Sequence, residues 1–301
     1  MIQVAQVGKQ FGPVTALDGV SLDVQPGERV AFIGANGSGK TTLLRCVLGL
    51  LRFEGKITIA GTDVSREPQI ALRSVAYIPQ VAPPIEAPVS EVVRACCSLR
   101  GKPESCVLPH ADRLGLDLSK LRSKRFRDLS GGMKQKLLAA LALSAEAPIL
   151  VADEPTANLD GEARAAFFQV LDERPRNSVV VLCSHRIDEV KKLVERVVEL
   201  KDGRVVRDGP LDELLRRLLA FRVEVSLRQG SQRAAEFLVA RGFVPLSAGR
   251  FEARLGQDEK LAIVAEFLRS HEDAIADLAI SPIEDVSAVL GDGRPKLRAV
   301  S

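Results

Sequence analysis

Gly34-Ala35-Asn36-Gly37-Ser38-Gly39-Lys40-Thr41 decides the fold class of this chain. It reads G-x-x-x-x-G-K-T, the pattern of a loop that cradles phosphate. The run before it, Arg29-Val30-Ala31-Phe32-Ile33, is short and apolar, as a buried parallel strand is. The run after it, residues 41–50, carries Leu43, Leu44, Val47 and Leu48 at helical spacing, with Gly49 as a stop signal. The motif therefore lies between a strand and a helix start, where its chemistry requires it. Glycines let backbone N–H groups approach a polyphosphate, and the helix N-terminus adds partial positive charge. Lys40 can reach terminal phosphates, and the Thr41 hydroxyl can ligate Mg²⁺.

Outward from this loop, short apolar runs alternate with helical stretches. Residues 55–61 and 75–80 read as strands, the second ended by Pro79. Ser90 reads as the N-cap of a helix running to about Leu99. From there to residue 127 the chain is helical in character, with no clear strand. Residues 129–144 open on Ser130-Gly131-Gly132 and continue as an Ala- and Leu-rich helix. Residues 148–154 and 178–183 are buried strands, residues 161–174 and 187–195 helices, and residues 197–207 a hairpin turning at Asp202-Gly203. Strands and helices alternating about a phosphate loop predict an α/β core with a largely parallel sheet. Past residue 220 the pattern restarts as strand, helix, strand, strand, helix, strand, which is the ferredoxin-like α+β order, βαββαβ.

Composition narrows the class. The chain has 301 residues, 46% apolar and 27% charged, as soluble globular proteins do. A net charge of +3 is too mild to argue for nucleic acid as a partner. No stretch approaches the roughly 18–20 apolar residues that span a bilayer. The start, Met1-Ile2-Gln3-Val4, has no signal-peptide character, so a cytoplasmic location is expected. The five cysteines, Cys46, Cys96, Cys97, Cys106 and Cys183, lack the pairing of a disulfide framework or a C-x2-C zinc site.

Two further stretches carry chemistry. Asp153 and Glu154 close the apolar strand ILVADE, where burying unpaired charge is costly. At the carboxyl end of a parallel strand they face the ligand crevice, Asp153 suited to Mg²⁺ and Glu154 to polarising an attacking water. Ser130, Gly131 and Gly132 form a second helix-start anion site. One nucleotide does not need two such cradles in one chain. The resolution is a dimer in which this helix start caps the nucleotide held by another copy's loop.

These stretches together resemble the ATPase subunits of ABC transporters over residues 1 to about 215. GANGSGKTT (34–42) is similar to Walker A, LSGGMKQ (129–135) to the family signature, and ILVADEPT (149–156) to Walker B with its catalytic glutamate. Asn158-Leu159-Asp160 resembles the D-loop, Gln80 the Q-loop and His185 the switch histidine, while Phe11 stands where the family stacks an aromatic on adenine. The resemblance implies a P-loop NTPase ABC cassette over residues 1–218 with a helical insert at about 88–145. The accessory domain then spans 219–290, and 291–301 fray. It implies ATP and Mg²⁺ as cofactors. Nucleotide contacts fall to Phe11, Gly34, Asn36, Gly37, Ser38, Gly39, Lys40, Thr41, Thr42, Ser130, Gly131, Gly132 and Asp160. Metal contacts fall to Thr41, Gln80 and Asp153, and catalytic roles to Glu154, His185 and Gln80. It also implies a second ATPase subunit and a separate integral membrane subunit that holds the chain at the inner face of the membrane.

The later residues Ile280-Ser281-Pro282-Ile283-Glu284-Asp285-Val286 resemble the P-S-L-E-D-V-F ending of ATPases serving ABC-2-type exporters, with Ser287 in place of the final Phe. Members of that branch move drugs, lipids or polysaccharides, or serve copper-enzyme maturation. The competing function is a soluble ABC ATPase doing mechanical work without a membrane. Such proteins usually carry two cassettes, long coiled coils or zinc inserts, none of which is legible here. The C-terminal domain taken alone can also be read as a binder of a small regulatory ligand.

Overall fold

The computed structural model describes residues 1–184, 191, 193–213 and 220–283. The chain divides into two compact units, Met1–Asp208 and a second from Gly209 on. His185, most of the helix expected over 187–195, residues 284–287 of the exporter-like ending and the 291–301 tail lie outside the described residues.

Two sheets build the first unit. One holds β1 (Ile2–Phe11), β2 (Val14–Val24), β4 (Glu54–Ile59) and β5 (Thr62–Asp63) in the antiparallel order β2-β1-β4-β5. The other holds β3 (Arg29–Ile33), β6 (Val75–Ile78), β7 (Ile149–Asp153), β8 (Val179–Cys183), β9 (Arg196–Lys201) and β10 (Arg204–Pro210). Its order is β10-β9-β3-β8-β7-β6. β3 pairs in parallel with β8 and β9, and β7 with β6 and β8. β7 and β8 are buried at every position, which is why they read as unbroken apolar runs. Asp202 and Gly203, with φ of +49° and +76°, turn β9 into β10 as a type I′ hairpin requires.

Helix α1 (Lys40–Val47) follows β3 directly. It ends in a Schellman motif, in which Leu50 N–H donates to Arg45 O (2.8 Å) and Gly49 N–H to Cys46 O (2.9 Å). Between β6 and β7 the regular elements are helical: α3 (Val89–Leu99), α4 (Leu108–Arg113) and α5 (Gly131–Ser144), besides short 3-10 turns. A four-residue helix, α2 (Pro68–Ala71), precedes β6, and α6 (Gly161–Asp172) joins β7 to β8. Ser90 is not the N-cap of α3. Pro88 holds that position, and the free donors of Val89 and Ser90 are met by Lys124 O (2.9 Å) and Arg122 O (3.1 Å). A neighbouring backbone replaces the side-chain cap here.

One apolar cluster joins the two sheets through α1, with Ile57 and Val7 from the antiparallel sheet, Leu43 and Leu44 from α1, and Phe32, Val151 and Val181 from the parallel sheet. The second unit runs β11 (Ala220–Leu227), α7 (Gln232–Ala240), β12 (Val244–Ser247), β13 (Arg250–Gly256), α8 (Gln257–His271) and β14 (Ile275–Pro282). Its sheet order is β12-β13-β11-β14, with antiparallel pairs throughout. Val223, Val225, Leu238, Phe251 and Phe267 form its core.

Phe167 of α6 is fully buried. Phe167→Ala is expected to cost about 3–5 kcal/mol in urea unfolding of the first unit, the usual range for deleting a core aromatic. A cost below about 1 kcal/mol would mean that α6 packs far more loosely than its burial indicates.

Candidate functional site

The phosphate loop is held from three sides. Gly34 has φ +146°, and a Cβ there would lie 2.3 Å from Leu200 O. Gly39, the residue before α1, has φ +105°, and its Cβ would lie 2.6 Å from Ala16 O. Gly203 N–H donates to Ser38 O (3.1 Å), while Gly203 O accepts from Asp18 N–H (2.9 Å). Lys40 Nζ donates to Gly34 O (2.7 Å), Ala35 O (3.0 Å) and Ser38 Oγ (3.5 Å), so its ammonium sits against the loop it serves. Asn36 and Gly37 are exposed at the tip, and Thr41 and Thr42 are half-buried in the first turn of α1.

The carboxyl edge of the parallel sheet completes this side. Asp153 is 2% exposed and accepts a hydrogen bond from the Thr41 hydroxyl. Burial pushes its carboxyl pKa up, against the pull of that bond and of Arg45 and Lys40. Tyr77 on β6 lies beside it, and burial together with the Asp153 charge pushes the phenol to about 12. Glu154 takes a left-handed backbone, φ +48°, with its N–H donating to Cys183 O (2.8 Å). That conformation costs about 1–2 kcal/mol in a non-glycine residue and is stored where Glu154 leaves the sheet. The register Ile78↔Ala152 brings exposed Gln80 out at the same edge.

Ser130 is the N-cap of α5, its Oγ accepting from Met133 N–H (3.2 Å), and it is exposed. The start of α5 is tied to the loop after β7. Gln135 Nε2 donates to Pro155 O (3.0 Å), Lys136 pairs with Asp160 (2.7 Å), and a Cβ on Gly132 would lie 3.0 Å from Asn158 O. Asp160 also caps α6 by accepting from Ala163 N–H (2.8 Å). Thus residues 34–42, Asp153, Glu154 and Gln80 share the carboxyl edge, while Ser130, Gly131 and Gly132 stand beside residues 155–160. Phe11 ends β1 on the other sheet, half-exposed, with Lys9 Nζ 5.0 Å from its ring centroid. Among the described residues no cluster of three or more His, Cys, Asp or Glu side chains could hold a metal ion.

Gln135, which the sequence presents only as the end of LSGGMKQ, and Tyr77 make contacts that the sequence does not assign. Gln135 is a fully buried amide in an Ala- and Leu-rich helix, and that polar interruption was its available signal. Tyr77, three residues before Gln80 on the strand beside β7, was read only as strand.

A family model described as "ABC transporter" matches residues 17–157. The Nod factor export ATP-binding protein I of Rhizobium etli is 31% identical over 246 residues, covering 79% of this chain and 77% of that protein. The chain belongs to the ABC transporter family. This ABC ATP-binding protein is also 32% identical over 222 residues to the methionine import ATP-binding protein MetN of Mesorhizobium japonicum, spanning 60% of that relative. Among solved structures, an ATP-binding subunit of an ABC transporter matches with TM-score 0.66 at 28% identity, over 72% of this chain and 92% of that one. An ATP-binding cassette solved as a dimer with ADP and Pi matches with TM-score 0.61 at 27% identity, over 70% of this chain and 99% of that one. The fold is that of a P-loop NTPase ABC cassette, a nucleotide-binding ATPase domain. No helix among the described residues is long and apolar enough to cross a membrane.

The strain at Glu154 is measurable in this ABC protein. Glu154→Gly is expected to be more stable than Glu154→Ala by about 1 kcal/mol in thermal or urea unfolding. The opposite order would show that the left-handed backbone carries no strain.

Proposed function

We propose that the chain binds ATP with Mg²⁺ and hydrolyses it in a dimer, driving transport through a separate integral membrane subunit. The observation that carries this reading is the single edge shared by the phosphate loop, the Thr41–Asp153 hydrogen bond and the strained Glu154. Lys40 would exchange its bonds to Gly34 O and Ala35 O for terminal phosphate oxygens. The loop N–H groups and the start of α1 would hold the remaining phosphate charge. Mg²⁺ fits Thr41, Asp153 and Gln80 as oxygen donors and, when bound, neutralises charge building on the phosphates. Asp153 is suited to this because an adjacent cation offsets the penalty of ionising a buried carboxylate. Glu154 would take the proton of the attacking water, with Gln80 and His185 orienting it. Phe11 would offer its exposed ring face to adenine.

Ser130, Gly131 and Gly132 would meet the γ-phosphate held by a second copy, since they stand beside residues 155–160 rather than on the loop after β3. The similar cassette solved as a dimer with ADP and Pi supports a two-copy assembly. Its role at the inner face of a membrane, and a cassette of residues 1–218 with its insert at 88–145, follow from the same family reading. The antiparallel sheet order of the second unit supports a ferredoxin-like domain over 219–290. The Nod factor export relative favours the ABC-2-type exporter branch, while the methionine import relative leaves the cargo to the membrane partner.

Glu154→Gln is expected to slow phosphate release by about 10²–10⁴-fold while ATP stays bound, as loss of a general base does. Hydrolysis at the wild-type rate would remove Glu154 from the role. Ser130→Arg is expected to abolish hydrolysis yet leave ATP binding by the isolated monomer intact. Failure of monomer binding as well would overturn the two-chain site.

A further inference from the structure

A cavity of about 520 Å³ opens in the first unit away from the phosphate loop, lined by His110, Glu146, Glu173, Arg174, Asn177 and Ser178 among others. These residues come from α4, from the turn before β7, and from the segment joining α6 to β8. The cavity therefore lies at the amino ends of β7 and β8, opposite the edge that carries Asp153. Its volume is in the range of small-molecule sites, about 300–1,000 Å³.

Three buried polar atoms of this lining have no hydrogen-bond partner: His110 Nδ1, Arg174 Nε and Ser178 Oγ. Ser178 as a residue is only 5% exposed. Native structures hold few such atoms, so three around one cavity call for hydrogen-bonding partners. All three are carried by side chains of residues that line the cavity.

The charges give the ligand its sign. Glu146 is paired with Lys102 (2.5 Å), and Glu173 with both terminal nitrogens of Arg113 (2.5 and 2.8 Å), so neither carboxylate is free to answer a further cation. Arg174 donates to Ala147 O (2.5 Å), and no described carboxylate pairs with it. Its charged neighbour is Arg29, another cation, itself bound to Asp172 (2.8 Å). Burial and then Arg29 push the Arg174 guanidinium pKa down, the mark of a partly desolvated cation without a counter-charge. Water can fill polar valences but cannot answer that charge.

We propose that this cavity binds a small oxyanion, a carboxylate or a phosphate, held by the Arg174 guanidinium with Ser178 Oγ and His110 Nδ1 completing its hydrogen bonds. Such a ligand joins α4 to the segment after α6, alongside the Arg113–Glu173 pair, and makes the site a second binding position independent of ATP. Arg174 supplies the planar donor edge that carboxylates and phosphates fit.

Calorimetric titration tests it, using the full chain carrying Lys40→Met to remove the phosphate loop's cation. Inorganic phosphate and malonate serve as separate probes. Saturable millimolar binding of at least one probe is expected, with Arg174→Met added in the same chain weakening it about tenfold or more, as loss of a charged hydrogen-bonding partner does. Binding of phosphate alone assigns a phosphate ligand, and of malonate alone a carboxylate. Should Arg174→Met fail to fold, Ser178→Ala decides, with several-fold weaker binding expected. No heat from either probe, or affinity unchanged in these variants, overturns the proposal. Hydrolysis is not the readout, so the outcome is separate from that of the ATPase reading.

Discussion

The carbonyl oxygen of Ala16 is the point on which the first unit turns. A Cβ on Gly39 would lie 2.6 Å from it, and a Cβ on Gly203 2.8 Å. Real Cβ atoms do not come so near a backbone oxygen, so β2 can approach the phosphate loop and the β9–β10 hairpin only because both positions lack a side chain. Asp18 and Arg204 lock the same contact with an ion pair. Through this one oxygen the antiparallel sheet braces the loop whose conformation the nucleotide chemistry needs. The glycines of the motif thus serve packing as much as ligand approach.

From that brace the chemistry spreads along the carboxyl edge of the parallel sheet. β3 delivers the loop, β7 delivers Asp153 and Glu154, and β6 delivers Gln80, because parallel strands all end on the same side. Asp153 illustrates the electrostatic tension. Its carboxylate is nearly sealed from water, and one hydroxyl and two nearby cations only partly offset the cost. A group held in that way is readily answered by a divalent cation. The ties from α5 to Pro155 and Asp160 then link the edge of one site to the helix start proposed to serve another.

Much of this was legible in the residues, for reasons that differ from element to element. The loop after β3, the buried runs of β7 and β8, and the Asp202-Gly203 turn were readable because each is dictated locally, by motif, by burial on both faces, or by positive φ. The separation of β1, β2, β4 and β5 into their own sheet was not, because alternation identifies a strand but not its partner. Ser90 was misread as a cap because propensity cannot see that Arg122 and Lys124 supply the needed carbonyls from another segment. Gln135 and Tyr77 escaped for the same reason: their importance lies in what they touch. In the second unit alternation and helical spacing follow the described succession of strands and helices, while the order in the sheet, β12-β13-β11-β14, differs from the order in the chain and is not written in that alternation.

The strand order carries a consequence for how the chain is made. Among the described strands β3 has β8 and β9 as its neighbours, so Val30 finds its first sheet partner in Val181, across most of the unit. During synthesis the phosphate loop and α1 emerge early, yet the strand that aims them has nothing to pair with until the segment beyond residue 179 is available. Closing so long a loop is slow and entropically costly. The aim of the phosphate loop therefore depends on pairings that span most of the first unit's sequence.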